Sequence, residues 1–210
     1  MQVGGIVLCG GQSSRMGLPK ATLPFGDERM LQRVVRLLRE VVDSIVVVAA
    51  SGQPLPDLPD DVVITRDERA GRGQLEGLAA GLRGTSADVG YATGCDVPLL
   101  RPEFARYMIG QLGDHEIAVP VEEKFFHPLA AVYRCRVLTH VESLLSQDRL
   151  RPVFLFEQAA TKRVPVESLR GVDPTLSTLR NLNHRQDYID ALREAGLEAP
   201  PEILNGLHDV

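Results

Sequence analysis

The chain has 210 residues, 44% of them apolar and 24% charged, a balance that suits a folded globular protein and excludes a disordered or fibrous one. At this length folding buries roughly 70% of the surface of the unfolded chain, so a core needs neither disulfides nor a structural metal. Lys and Arg number 23 against 28 Asp and Glu, a formal charge of -5 that gives no overall electrostatic reason to bind nucleic acid or an anionic membrane, so any phosphate must be met locally.

In chain order, Val3 to Cys9 is a short β-branched run ended by Gly10-Gly11, and Ile45–Ala50 and Val62–Thr65 are continuous apolar runs of strand length, which predict strands buried on both faces. Between the first two, Glu28–Val42 places Met30, Leu31, Val34, Val35 and Leu38 at helical spacing and predicts an amphipathic helix. A helix over Gly73–Leu82 and a strand over Asp88–Thr93 follow; strand and helix in alternation signify a parallel sheet covered by helices. The second half is less regular. Pro102–Leu112, Val137–Leu145, Pro152–Gln158 and His184–Ala195 read as helices, Glu116–Pro120, Leu129–Arg134 and Arg163–Val166 as strands, and Glu122–His127 as a hairpin or a loop. The expected organisation is one α/β domain over residues 1–196 with a tail from 197 to 210.

Targeting and redox signals are few. The longest apolar stretches, such as Ser44–Ala50, fall short of the roughly 20 residues of a membrane span, and Met1-Gln2-Val3 enters a strand pattern without a basic leader, so the expected location is cytoplasmic. Cys9, Cys95 and Cys135 are odd in number and form no C-x-x-C pair, which favours reduced thiols over a disulfide framework or zinc site.

The segment richest in chemistry is Leu8-Cys-Gly-Gly-Gln-Ser-Ser-Arg-Met-Gly-Leu-Pro-Lys20, directly after the first predicted strand. Gly10, Gly11 and Gly17 allow backbone N–H groups to approach an anion, Ser13 and Ser14 add hydroxyl donors, and Arg15 and Lys20 bring two positive charges. In open α/β sheets ligands bind outside the carboxyl ends of the strands, where this loop falls. The segment is neither a Walker A loop, since Lys20 is followed by Ala21 and separated from Gly17 by Leu18-Pro19, nor a G-x-G-x-x-G fingerprint, since Gln12 and Ser13 stand where that spacing needs glycine.

The pattern L-x-G-G-x-S-S-R-M-G-x-x-K-x-x-L resembles the N-terminal signature of molybdenum cofactor guanylyltransferases, within the wider nucleotidyltransferase class. The resemblance implies a three-layer, mostly parallel Rossmann-like sheet with helices on both faces, similar to the nucleotide-diphospho-sugar transferases. It implies a site in which the backbone from Leu8 and Cys9 to Gly10 and Gly11 lines the guanine and triphosphate, with Arg15 and Lys20 on the phosphates. Tyr91-Ala-Thr-Gly-Cys-Asp-Val-Pro98 resembles the family's magnesium motif, making Asp96 the expected Mg2+ ligand; by itself an Asp after a strand is a turn former or a helix cap. The D-x-D pair of a glycosyltransferase would need an acid at Gly94, where none stands.

Asp67 aligns with the family's acidic nucleotide contact, with Glu68 as its competitor and a solvated loop acid as the plain alternative. Gly71 to Gly77 resembles a glycine-rich helix entry beside the nucleotide, and Phe126-His127-Pro128 an acceptor-side segment. Leu179-Arg-Asn-Leu-Asn-His184 resembles the family's N-x-N segment; in a strand-like stretch Asn181 and Asn183 share one face, although Asn183 alone could be an N-cap. Many relatives carry a polar amide after the second strand, whereas this chain reads Ala49-Ala50-Ser51. The resemblance spans residues 3 to 195 and is thin from Glu157 to Thr178.

The implied activity is transfer of GMP from GTP to the terminal phosphate of molybdenum-bearing molybdopterin, with Arg15, Lys20 and Asp96 as catalytic residues and with transient contact to cofactor-delivery or acceptor proteins. Two alternatives stand beside it, a cytidylyltransferase acting on molybdopterin or another small phosphorylated acceptor, and a non-catalytic nucleotide-binding domain. A partner-binding scaffold would rest on the unassigned tail alone. The enzyme reading requires Lys20 and Asp96, 76 positions apart, to converge on one cleft.

Overall fold

A computed structural model describes residues 1–9, 18–67, 72–198 and 200–201. Its elements in chain order are β1 (Val3–Leu8), β2 (Pro24–Phe25), β3 (Glu28–Arg29), α1 (Met30–Leu38), β4 (Ser44–Ala50), β5 (Val63–Asp67) and α2 (Gly73–Gly84). They continue with β6 (Val89–Gly94), α3 (Pro102–Gln111), β7 (Ile117–Glu122), β8 (Phe125–Phe126) and β9 (Ala130–Arg134). The chain ends with α4 (Leu138–Ser146), α5 (Val153–Gln158), β10 (Thr161–Pro165) and α6 (Arg185–Glu194). The main sheet runs β10-β7-β9-β6-β1-β4-β5, with β8 paired to β7. All neighbours on this path are parallel except β9, which is antiparallel to both β6 and β7.

Alternation along β1 shows why the sheet needs cover on both sides. Val7 and Cys9 enter one cluster with Leu31, Val35 and Leu38 of α1 and Phe104 and Met108 of α3. Ile6 and Leu8 enter the other with Leu75, Leu78 and Leu82 of α2, Val141 and Leu144 of α4 and Phe156 of α5. The result is three layers, as the alternating pattern predicts. Close approach of α2 depends on Gly81, where a Cβ would run into Ile6 Cγ2. A third, smaller cluster joins Leu23, Phe25 and Met30 to Leu182, Tyr188 and Leu192, tying the β2–β3 ribbon to α6. Leu197 packs on the same cluster, so the chain remains folded just past the expected domain limit.

The structure corrects three expectations. The helix predicted over Glu28–Val42 covers Met30–Leu38, because Glu28 and Arg29 pair with Phe25 and Pro24 instead. The Val62–Thr65 run forms the outer strand of the sheet with Val63 and Ile64 about half exposed, 49% and 47%, not a strand buried on both faces. Periodicity in an all-apolar run cannot distinguish a central strand from an edge one. The stretch holding Asn181 and Asn183 is not a strand of the sheet. Glu122–His127 resolves as a hairpin turning through Glu123 at φ 50°, with Val121 opposite Phe126.

Candidate active site

The parallel strands β5, β4, β1 and β6 end on one edge, and the residues just beyond it build the site. Register fixes the order: Leu8 lies opposite Val48 and Gly94, and Ala50 opposite Asp67. Cys95 N–H donates to Leu8 O at 3.0 Å, which carries the β1–β6 pairing one residue further and delivers Asp96 to the rim. A Cβ at Gly94 would meet Asp96 Oδ1, so the glycine leaves that carboxylate its present orientation.

Lys20 opens a 3-10 turn (Lys20–Thr22) and directs its ammonium to the same point. Its Nζ donates to Asp96 Oδ2 at 3.0 Å and to Asn183 Oδ1 at 2.8 Å. Both charged side chains are largely shielded, 17% and 16% exposed, so their attraction is stronger than that of a surface pair. Asn183 does not cap α6. The Asp187 carboxylate accepts from the backbone N–H groups of His184 and Asn183 at 2.8 and 3.0 Å, leaving the Asn183 amide oxygen for Lys20. Leu182 is buried between the two asparagines, and its N–H donates to Asp96 O at 2.9 Å. Asn181 and Asn183 consequently line one cleft.

That cleft encloses about 610 Å³. From the asparagines it extends under the β7–β8 hairpin to the start of α5, with Phe126 and Phe156 in tilted ring contact at 5.0 Å and Lys124 and Arg151 as its cations. His127 also lines it; burial lowers its pKa against the opposing influence of Glu122, so its imidazole is neutral near pH 7.

Cys9 and Cys95 lie side by side under the rim. A hydrogen bond to Cys95, burial and the nearby Asp96 charge push the Cys9 thiol well above its ordinary range, which suits packing and not nucleophilic attack. Among the described residues no cluster of three or more His, Cys, Asp or Glu could hold a metal by itself. The donors that do converge, one carboxylate and one amide oxygen, are hard oxygen ligands. They fit a cation that completes its shell with phosphate and water.

Of the residues singled out from the sequence, Asn181 and Asn183 line the cleft, Lys20 and Asp96 meet Asn183 at its edge, and Leu8 and Cys9 lie buried at the end of β1 beneath the rim. Asp67 stands on the same strand-end edge but three strands from β6, roughly 14 Å away at about 4.8 Å per strand. Gly10, Gly11 and Arg15, together with Glu68 and Gly71, lie outside the described residues. Sequence reading missed Gln53. Its amide donates to Cys9 O at 3.0 Å and accepts from Ala50 N–H at 3.0 Å, setting a polar amide beside the β1 and β4 ends where Ala49-Ala50-Ser51 lacks one. No short motif marks it, because it reaches the edge by folding back from the following loop.

Among the described residues no helix is long and apolar enough to cross a membrane. Residues 5–162 match the MobA-like NTP transferase domain. The molybdenum cofactor guanylyltransferase of Desulfosudis oleivorans is 32% identical over 94% of this chain and 96% of its own length. The probable molybdenum cofactor guanylyltransferase of Pelotomaculum thermopropionicum is 31% identical over 91% of this chain and 92% of its own. The crystal structure of molybdopterin-guanine dinucleotide biosynthesis protein A from Archaeoglobus fulgidus superposes with a TM-score of 0.76 at 21% identity, covering 92% of this chain and 98% of that one. With its matching span covering most of the chain and its three-layer sheet shared, this protein belongs to the MobA-like NTP transferase family.

Proposed function

We propose that the protein transfers GMP from GTP to the terminal phosphate of molybdenum-bearing molybdopterin. The observation that carries this reading is the meeting of Lys20, Asp96 and Asn183 at the carboxyl edge of the parallel strands, at the mouth of the aromatic-walled cleft. The names of the relatives supply the nucleotide and the acceptor.

In this reaction an oxygen of the acceptor phosphate attacks the α-phosphorus of GTP, the bond from that phosphorus to the bridging oxygen breaks, and pyrophosphate leaves. The attacking phosphate is already ionised, so the site needs no strong base. That agrees with a neutral His127 and a protonated Cys9 beside the reacting groups. Lys20 exchanges its bonds to Asp96 and Asn183 for the phosphates and offsets the charge that builds on them. Asp96, with the Asn183 amide oxygen, would hold Mg2+, which supplies charge neutralisation across the triphosphate. Arg15 adds a second cation, and Gly10 and Gly11 add backbone donors for the same phosphates. Leu8 and Cys9 with Gln53 border the base and ribose, and Asp67 accepts from their hydroxyl or amino groups. The cleft receives the acceptor, whose flat pterin suits the Phe126–Phe156 wall and whose negative charge suits Arg151 and Lys124. The odd, unpaired cysteines favour a cytoplasmic setting, where delivery and acceptor proteins would make transient contact.

Pyrophosphate release measured with GTP or CTP, each with Mg2+ and molybdenum-bearing molybdopterin, tests the reading. Release is expected with GTP only and only with the acceptor present. Preference for CTP overturns the base assignment, and binding of nucleotide without release from either overturns the enzyme.

A further inference from the structure

Asp173 lies in the part of the chain where the family resemblance is thin, after a 3-10 turn over Val166–Gly171, and no part of it reaches solvent. A carboxylate so buried is costly unless donors surround it. Here Ser177 N–H at 3.2 Å faces Oδ1 and Thr178 N–H at 2.9 Å faces Oδ2. The single Ser177 hydroxyl proton lies between Oδ1 at 3.3 Å and Leu99 O at 3.2 Å. Thr178 Oγ1 accepts from Arg101 N–H at 3.1 Å. Thus the two residues gathered by Asp173 are each fastened to the 97–101 loop that directly follows Asp96. Five residues beyond Thr178 stands Asn183, and between them Leu182 N–H bonds Asp96 O at 2.9 Å.

We infer that Asp173 is a positioning residue that clamps the Asn181–Asn183 segment onto the Asp96 loop and so sets the Lys20–Asp96–Asn183 geometry. The inference rests on the reading of that cluster as the transfer site. It requires a charge and not merely a turn former: both oxygens accept backbone N–H groups, which an Asn at this position cannot match because its amide nitrogen would face a donor. Burial first, and then the Asp173 charge, raise the pKa of the buried Tyr91 phenol on β6.

The test combines exchange and kinetics on the full chain. In Asp173→Asn, the Leu182 amide should exchange at least about tenfold faster while amides of β1 and β4 keep their protection. Turnover should fall on the order of tenfold to a hundredfold with KM for GTP within about threefold, the pattern of a displaced reacting geometry. Combined with Asn183→Ala, the double variant should be no slower than Asn183→Ala alone, because the two act through one contact. Unchanged Leu182 exchange, or losses that multiply in the double variant, overturns the inference. Should Asp173→Asn fail to fold, Thr178→Val removes the acceptor for Arg101 N–H and should show the same three signs at smaller size; its absence of effect overturns the clamp equally. A wild-type protein that releases no pyrophosphate refutes the proposed function, while Leu182 exchange in the variants still decides the clamp.

Discussion

The two halves of the sheet are built to different plans. On one side of the β6–β9 seam, β6, β1, β4 and β5 are parallel, α2 presses so closely that Gly81 has no room for a side chain, and the strand ends form one continuous rim. On the other, β9 runs against its neighbours, β7 extends into a hairpin with β8, and the start of the short helix α5 borders a cleft of about 610 Å³. In the function proposed, the first half would hold the phosphates and the second would receive the acceptor. Lys20 and Asp96 belong to the first, and the asparagine segment spans the two.

The sharpest way to break this division is at the rim. Lys20→Ala and Asp96→Asn should each lower turnover about 100-fold to 1,000-fold in folded protein, as measured by pyrophosphate release. Near-normal turnover in either would remove the phosphate role from that half.

Packing offers the next contrast. Gly81→Ala forces a methyl against Ile6 in a fully buried layer and should cost about 1–3 kcal/mol in denaturant unfolding. Gly110→Ala, exposed on α3 with nothing within 4 Å, should instead be neutral or stabilise by about 0.5–1 kcal/mol. Equal effects would mean that α2 is no tighter than α3.

For the cleft, Arg151→Ala should raise KM for the pterin acceptor about tenfold and leave KM for GTP unchanged, the mark of lost binding to one substrate. A matching rise for GTP would erase the separation of the two subsites.

The smallest effect is expected at Glu116, which accepts from Ala160 N–H at 3.1 Å and from Arg136 Nε at 3.0 Å and joins β7 to the start of β10. The Ala160 hydrogen bond first, and then Arg136, hold its pKa below the ordinary 4.5. Its contribution is therefore complete above pH 4.5 and fades as the pH falls through the lower folded value. Glu116→Gln should lose about 1 kcal/mol at pH 7 and little at pH 3, read from thermal midpoints at the two values.

How far the sequence could be read follows the same boundary. β1 and β6 were legible as short runs of strand length bounded by glycine, and α1 because burial of one face leaves a helical period in the residues; the hairpin at 122–127 was open because its turn at Glu123 carries no glycine to announce it. Lys20, Asp96 and the asparagine pair were visible as motifs. Their distance from one another was not, and neither was Gln53, whose amide acts on residues 44 positions earlier.

By itself the sequence determined the α/β class, the presence of β1 just before the glycine-rich loop and the residue types that suit a triphosphate, since these depend on local pattern and composition. Only the tertiary structure decided that Val63 and Ile64 lie on an outer strand, that His184 and not Asn183 is the N-cap residue of α6, and that Lys20 bonds Asp96 and Asn183 across 76 and 163 positions. Those outcomes depend on which strands become neighbours and where loops are tied, and contacts so remote in sequence leave no periodic trace in the chain.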